Sequence, residues 1–381
     1  MPGEPAAMTA FRTTTPSGRT RAFGAGLRFD GTPGTWNAIT DVPGVTVGYA
    51  TLIAGDGALR RGTGPIRTGV TAILPRPVNR LWDPVFAGLF SLNGNGELTG
   101  SHSIEETGKL GLPITITNTH SCGLARDATV RWAVDAFPDD LGDDFALPVA
   151  AETYDGFLND INGFHVTEAH VRAAIDSARS GPVDEGSVGG GTGMKCFGFK
   201  AGSGTASRRV ACGGDYHLGV FVQANFGARG DLVIQGRRIG LDPGLPQMVT
   251  RAPAPDLSSI IAVIATDAPF LPHQLRRLAR RASFGVGRLG GIARHSSGDI
   301  FLAFSTAGQD LAGRGAPALR SVRFLPDEHI DPFFEAVVQA TEEAILNSMI
   351  ANDGMTGRDG NFVPALPLAA LTGEGPEDPA R

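Results

Sequence analysis

The run Ile260-Ile-Ala-Val-Ile-Ala265 is apolar at every position, so a strand built from it has no face to offer to water. Such a strand belongs inside a sheet covered on both sides, and 381 residues are enough to supply the covering layers within one compact unit. Residues 45–51, 69–74, 114–118, 218–226, 232–239 and 300–305 read as further strands between turn residues. Residues 124–137 have helical spacing, and Thr167 opens a second helix in which Val171, Ala174, Ile175 and Ala178 share a face. Residues 272–288 form a helix with Leu275, Leu278, Ala279 and Ala282 inward and Arg276, Arg277, Arg280 and Arg281 outward. A last helix starts near Pro332 and buries Phe333, Phe334, Val337, Val338, Ile345 and Met349. One sheet layer flanked by helices on both sides is the simplest architecture that uses all of these segments. The 53 glycines and 26 prolines are interleaved with the apolar runs, so they mark turns between elements rather than a low-complexity tract. Residues 1–26 and 371–381 lack periodicity, which predicts flexible ends around a single unit over residues 27–370.

Charge and cysteine use narrow the function classes. A net charge of −6 with no basic stripe gives no case for a nucleic-acid partner. Cys122, Cys196 and Cys212 are far apart and make no CxxC pair, so neither a disulfide framework nor a thiolate zinc site is expected, and a reducing cytoplasm fits. The N-terminal stretch has arginines but no apolar core of a signal peptide, and no run approaches the ~18 residues needed to span a bilayer. The reading is a soluble cytoplasmic protein with no membrane partner. The glycine-rich passage Gly186-Ser-Val-Gly-Gly-Gly-Thr-Gly193 is followed by Met194 and Lys195 with no hydroxyl after the lysine, so it serves backbone turns beside a pocket rather than a phosphate. Eight histidines form no HExxH, and His165 and His170 are five apart, so no metal or other cofactor is expected.

The chemistry points to the place where a proline-rich connector, Asp242-Pro-Gly-Leu-Pro246 and Ala252-Pro-Ala-Pro-Asp256, meets the apolar strand. Ser258 and Ser259 stand at that junction. A serine hydroxyl needs a base, and an N-terminal serine carries its own in the α-amine, whose pKa of about 7.7–8 suits general-base work. By itself a serine pair before a strand is an ordinary turn or cap.

The sequence over residues 27–367 resembles the L-aminopeptidase/D-esterase-amidase and β-peptidyl aminopeptidase family of N-terminal serine hydrolases. The resemblance is carried by Phe29-Asp-Gly-Thr-Pro-Gly-Thr-Trp-Asn-Ala-Ile-Thr-Asp-Val-Pro-Gly44, Ser91-Leu-Asn-Gly-Asn-Gly-Glu97 and Ile116-Thr-Asn-Thr-His120. It continues in Ala151-Glu-Thr-Tyr-Asp-Gly-Phe-Leu-Asn-Asp-Ile-Asn162, Val222-Gln-Ala-Asn-Phe-Gly227, Ile264-Ala-Thr-Asp-Ala-Pro-Phe-Leu-Pro-His-Gln274 and Ser296-Ser-Gly-Asp-Ile-Phe-Leu-Ala-Phe-Ser305. It implies an α/β fold, a four-layer αββα sandwich like that of N-terminal-nucleophile hydrolases. It also implies a precursor that cuts itself between Ser258 and Ser259 into a large subunit, residues 1–258, and a small one, residues 259–381.

Position by position, the resemblance makes Ser259 the nucleophile and Ser297 and Asp299 a proton-relay pair. The Ser-Gly-Asp spacing suits the pair, because residues two apart on a strand share a face. Asn225 takes the oxyanion-stabilising role, Tyr154 supplies an aromatic hydroxyl, and Glu152 pairs with the substrate ammonium. The residue before the cut is Ser258 where relatives often have Asn or Gly, and Asp299 stands where some have Glu. The implied substrates are short peptides, amino-acid amides or esters with a free amine, including D-alanyl and β-amino-acid compounds, and the implied assembly is a tetramer of cleaved pairs. Two alternatives stand beside this reading: a self-processing acyltransferase of the ornithine acetyltransferase type, and a non-catalytic, uncut relative acting in binding or assembly.

Overall fold

The computed structural model describes residues 6–142, 144–252, 257–307, 319 and 321–371; residues 253–256 of the connector and 372–381 of the expected flexible tail lie outside the described residues. The strands are β1 (Thr46–Ala54), β2 (Ile66–Leu74), β3 (Val85–Gly94), β4 (Lys109–Leu110), β5 (Ile114–Asn118), β6 (Ala150–Thr153), β7 (Lys195–Cys196), β8 (Phe199–Lys200), β9 (Ser203–Ala211), β10 (Asp215–Asn225), β11 (Ser258–Thr266), β12 (Ser297–Ser305), β13 (Met355–Thr356) and β14 (Phe362–Val363). The helices are α1 (Ala6–Thr13), α2 (Ser101–Thr107), α3 (Cys122–Ala136), α4 (Pro138–Leu141), α5 (Glu168–Asp176), α6 (Pro272–Arg288) and α7 (Asp331–Ile350). No helix among the described residues is long and apolar enough to cross a membrane.

The strands form two main sheets, β1-β2-β5-β6 and β4-β3-β12-β11-β10-β9, with β7-β8 and β13-β14 as separate ribbons. Alternation along β11 shows how the layers stack. Ile260, Ala262 and Ile264 enter a core with α6 and α7, whereas Ile261, Val263 and Ala265 enter one shared with Val47, Ile73 and Ile116 of the other sheet. A third core joins Val70, Ala72 and Ala150 to Ala125 and Trp132 of α3 and to Val171 and Ile175 of α5. The order is therefore helices, four-stranded sheet, six-stranded sheet, helices: the αββα sandwich. The simpler expectation of one sheet between helices is corrected, because a buried strand face packs equally well on a second sheet as on a helix.

Two local expectations are also corrected. Residues 232–239 bury Leu232, Ile234 and Ile239 but form no strand, since Gln235 (φ 48°) and Gly236 (φ 79°) turn the chain back on itself. The flexible segment expected over residues 1–26 is folded from residue 6 onward. It opens with α1, and Arg21 donates through Nε to the buried Glu185 at 2.7 Å and through Nη2 to the carbonyls of Asn37 and Thr205. In the glycine-rich passage, Gly189–Gly191 is one 3-10 turn wedged between the sheets, where a Cβ on Gly190 would lie 2.2 Å from Gln223 Oε1. On α6 the arginines do face outward, and Arg277 and Arg281 lie over the Phe334 ring at 5.3 and 3.7 Å.

Candidate active site

Strand register assembles the candidate residues. β10 and β11 are antiparallel with Asn225 opposite Ser259, and β11 and β12 are parallel with Ser259 opposite Gly298. Ser258 is then opposite Ser297, and Ile260 opposite Asp299. Ser297 and Asp299 share a face as their spacing predicts, with Ser297 Oγ donating to Asp299 Oδ1 at 2.6 Å. Burial raises the Asp299 pKa, against the pull of the Ser297 hydroxyl and of the Ile260 N–H that its carboxylate also accepts. That second bond brings the carboxylate to the peptide unit just after Ser259.

Ser259 is buried, 3% exposed, and its Oγ accepts the backbone N–H of Tyr154 in a long contact of 3.4 Å. Tyr154 follows β6 of the other sheet, so Ser259 is clasped between the sheets. Among the described residues Ser259 Oγ makes no hydrogen bond to Ser297 or Asp299. The Tyr154 hydroxyl has no hydrogen-bond partner among the described residues, and burial raises its pKa.

Asn225 is held at both ends of its amide. Oδ1 accepts the Lys195 N–H at 3.1 Å, and Nδ2 donates to the Leu257 carbonyl at 3.3 Å, one residue before Ser258. The donor therefore already points at the chain next to the Ser258–Ser259 bond.

Glu152 is 3% exposed and each of its oxygens accepts one hydrogen bond, Oε1 from the Glu97 N–H at 3.0 Å and Oε2 from the Thr119 hydroxyl, which leaves a lone pair on each. Burial pushes its pKa up, those two donors pull it down, and the negative charge of Glu97 raises it again. Glu97 and Thr119 fall in stretches that carry the resemblance, but residue type alone gives neither a role. The Tyr154 and Lys195 amides were equally out of reach, because a backbone donor leaves no trace in residue type.

Between Glu152 and β12, the strand beside Ser259, Gly96 and Gly298 pack closely. A Cβ on Gly96 would lie 3.1 Å from Gly298 Cα and 3.2 Å from Glu152 Oε1, which puts the carboxylate within about 6.3 Å of the residue opposite Ser259. The histidines that are five apart are engaged elsewhere: His165 Nε2 meets Asp160 Oδ2 at 2.9 Å, and His170 Nδ1 accepts the Thr167 N–H at 3.1 Å. A cavity of about 540 Å³ between Trp82, Ile104 and Leu147 contains none of the candidate residues.

The family model of peptidase family S58 matches residues 37–363. A β-peptidyl aminopeptidase, BapA, of Sphingosinicella microcystinivorans is 50% identical over 364 residues, 92% of this chain and 90% of that protein. The L-aminopeptidase D-Ala-esterase/amidase of Ochrobactrum anthropi, described as a prototype serine aminopeptidase with a variant of the Ntn hydrolase fold, superposes with a TM-score of 0.84 and 49% identity, covering 92% of this chain and 96% of that one. The PH0078 protein of Pyrococcus horikoshii OT3 gives a TM-score of 0.86 and 42% identity, covering 92% of this chain and 97% of that one.

Proposed function

The chain belongs to peptidase family S58, and from that premise we propose that Ser259 is both the point of self-cleavage and the nucleophile of the mature enzyme. The protein is a hydrolase with aminopeptidase and amidase activity. Maturation starts when Ser259 Oγ attacks the Ser258 carbonyl carbon and the C–N bond breaks, so that the acyl group moves to oxygen and the Ser259 α-amine is released. Water then hydrolyses the ester, leaving a Ser258 carboxylate and a free hydroxyl. In the uncut chain that nitrogen is an amide without basicity, and afterwards it is a base on the same residue as the hydroxyl it serves.

In turnover the α-amine takes the proton from Oγ as Oγ attacks the substrate carbonyl. Asn225 Nδ2 donates to the oxyanion, the substrate's leaving amine or alcohol takes that proton from the α-ammonium as its bond to the acyl carbon breaks, and water then hydrolyses the ester, freeing the acid and restoring the Ser259 hydroxyl. The hydrogen-bonded Ser297 and Asp299 steady the charge that the α-ammonium carries. Glu152 holds the substrate ammonium, so an acylated amino terminus leaves its carboxylate without a partner and is refused. Short peptides and amino-acid amides or esters with a free amine, D-alanyl and β-amino-acid compounds included, are the substrate class.

The observation that carries this reading is the register of β10, β11 and β12, which sets Asn225 opposite Ser259 and puts Ser297 and Asp299 on either side of its other partner, Gly298, where the connector enters β11. The test is intact mass under denaturing conditions together with an aminoacyl-amide assay. The wild type should give two species, residues 1–258 and 259–381. Ser259→Ala should give one uncut species with kcat/KM lowered by at least about 10⁴-fold. A cut and active Ser259→Ala protein would remove Ser259 from both roles.

A further inference from the structure

The reading of Glu152 as the ammonium site rests on one buried carboxylate, yet a second carboxylate stands at its rim. The end of β3 and the residues after it are fixed against the segment that enters β12. Asn93 Nδ2 donates to the Arg294 carbonyl at 2.7 Å, Asn95 Nδ2 to the Ser296 carbonyl at 2.7 Å, and Gly96 lies back to back with Gly298. That anchoring delivers the Glu97 N–H to Glu152 Oε1 at 3.0 Å. With an N–Cα bond of about 1.46 Å, the Glu97 Cα lies within about 4.5 Å of the buried carboxylate.

The Glu97 side chain is exposed, and among the described residues its carboxylate makes no ion pair or hydrogen bond. Its charge is nevertheless felt inside, raising the proton affinity of Glu152 and of Cys122. Across the site, Thr119 holds the other Glu152 oxygen, and His120, stacked on Phe164 at 6.1 Å, pulls the Glu152 pKa down.

A substrate with one ammonium neutralises Glu152 and leaves the charge of Glu97 facing water. A substrate whose amino-terminal residue has a basic side chain brings a second cation to the same rim. Resting on that reading of Glu152, we propose that the Glu97 carboxylate is a specificity determinant of the site, favouring substrates whose amino-terminal residue carries a second cation, an ammonium or a guanidinium. The backbone of Glu97 positions Glu152, and its side chain selects. Because the carboxylate is exposed, the preference it adds is about two- to fivefold, the range of a solvent-exposed ion pair, and it weakens with salt.

The experiment compares kcat/KM for the p-nitroanilides of lysine and norleucine, which share an unbranched four-carbon side chain and differ in its terminal ammonium, in wild type and Glu97→Gln. The expected result is a lysine-to-norleucine ratio two- to fivefold lower in Glu97→Gln, and a wild-type ratio that falls towards the variant's as salt is raised. An unchanged ratio overturns the proposal, and so does equal loss on both substrates, which would make Glu97 a support of Glu152 only. Glu152→Gln separates this from the parent reading: it should lose both substrates, and if it keeps norleucine turnover the ammonium assignment fails whatever the Glu97 ratio shows.

Discussion

Asp155 is fully buried one residue beyond the amide that meets Ser259, and burial pushes its pKa up to about 7 against the pull of Thr68, Asn159 and Asn118. The folded state thus holds this proton more tightly than the unfolded chain, where the ordinary value is 3.8. The stability it contributes is complete below about pH 4 and is lost as the pH rises through about 7. A shift of about three units corresponds to about 4 kcal/mol at most. Asp155→Asn keeps the shape and the contact with Asn159 Nδ2, at 3.0 Å, without the ionisation. Its Tm should match wild type near pH 4 and exceed it increasingly up to pH 8. A pH-independent difference would mean that Asp155 does not titrate in this range. An ionisable group kept at this cost beside Ser259 is a local inconsistency of the kind that sites retain and cores do not.

Elements show which glycines the fold needs. A Cβ on Gly190 would meet Gln223 Oε1 at 2.2 Å and the Ile116 carbonyl at 2.5 Å, and Gln223 cannot retreat because its Nε2 donates to Thr117 and Thr153 of the other sheet. Gly190→Ala should therefore cost about 1–3 kcal/mol in denaturant unfolding, or more if the sheets part. Gly123, in the first turn of α3, has nothing within 4 Å of its Cβ direction, and Gly123→Ala should stabilise by about 0.5–1 kcal/mol. Equal effects at the two positions would contradict the packing described for the glycine passage. The sequence itself marks both glycines alike, which shows the limit of reading it. β11, β12, α6 and α7 were legible because two-sided apolar runs and helical spacing leave few alternatives. Residues 232–239 misled, since Leu232, Ile234 and Ile239 imitate a strand while Gln235-Gly236 closes a turn. Periodicity reports that a face is buried but not against what, so the second sheet came from the family resemblance. For the site, Ser259, Asn225 and the Ser297–Asp299 pair followed from motif positions, whereas the contacts of Thr119, the Glu97 amide and the Tyr154 amide needed three-dimensional placement.

At the scale of the molecule, a cut after Ser258 divides the chain but not the sheet. In the order β4-β3-β12-β11-β10-β9, the outer strands β4, β3, β10 and β9 come before the cut, and β12 and β11, inserted between them, come after it. The helices α6 and α7 also follow the cut, yet their core includes Val220, Val222 and Phe199 from before it. Neither piece can bury all of its apolar surface, since the cores on both faces of β11 and β12 draw residues from both, so the two should behave as one folding unit after cleavage. Matured protein should elute as one peak in non-denaturing gel filtration with both pieces present in equal amounts, and should unfold in one cooperative transition. The pieces should part only in denaturant. Residues 1–258 expressed alone would leave β3 and β10 as open edges flanking a missing pair of strands, and should be aggregation-prone. Adding residues 259–381 during refolding should restore solubility. A soluble, monomeric 1–258 fragment, or pieces that separate without denaturant, would contradict a sheet in which the strand bearing Ser259 is central.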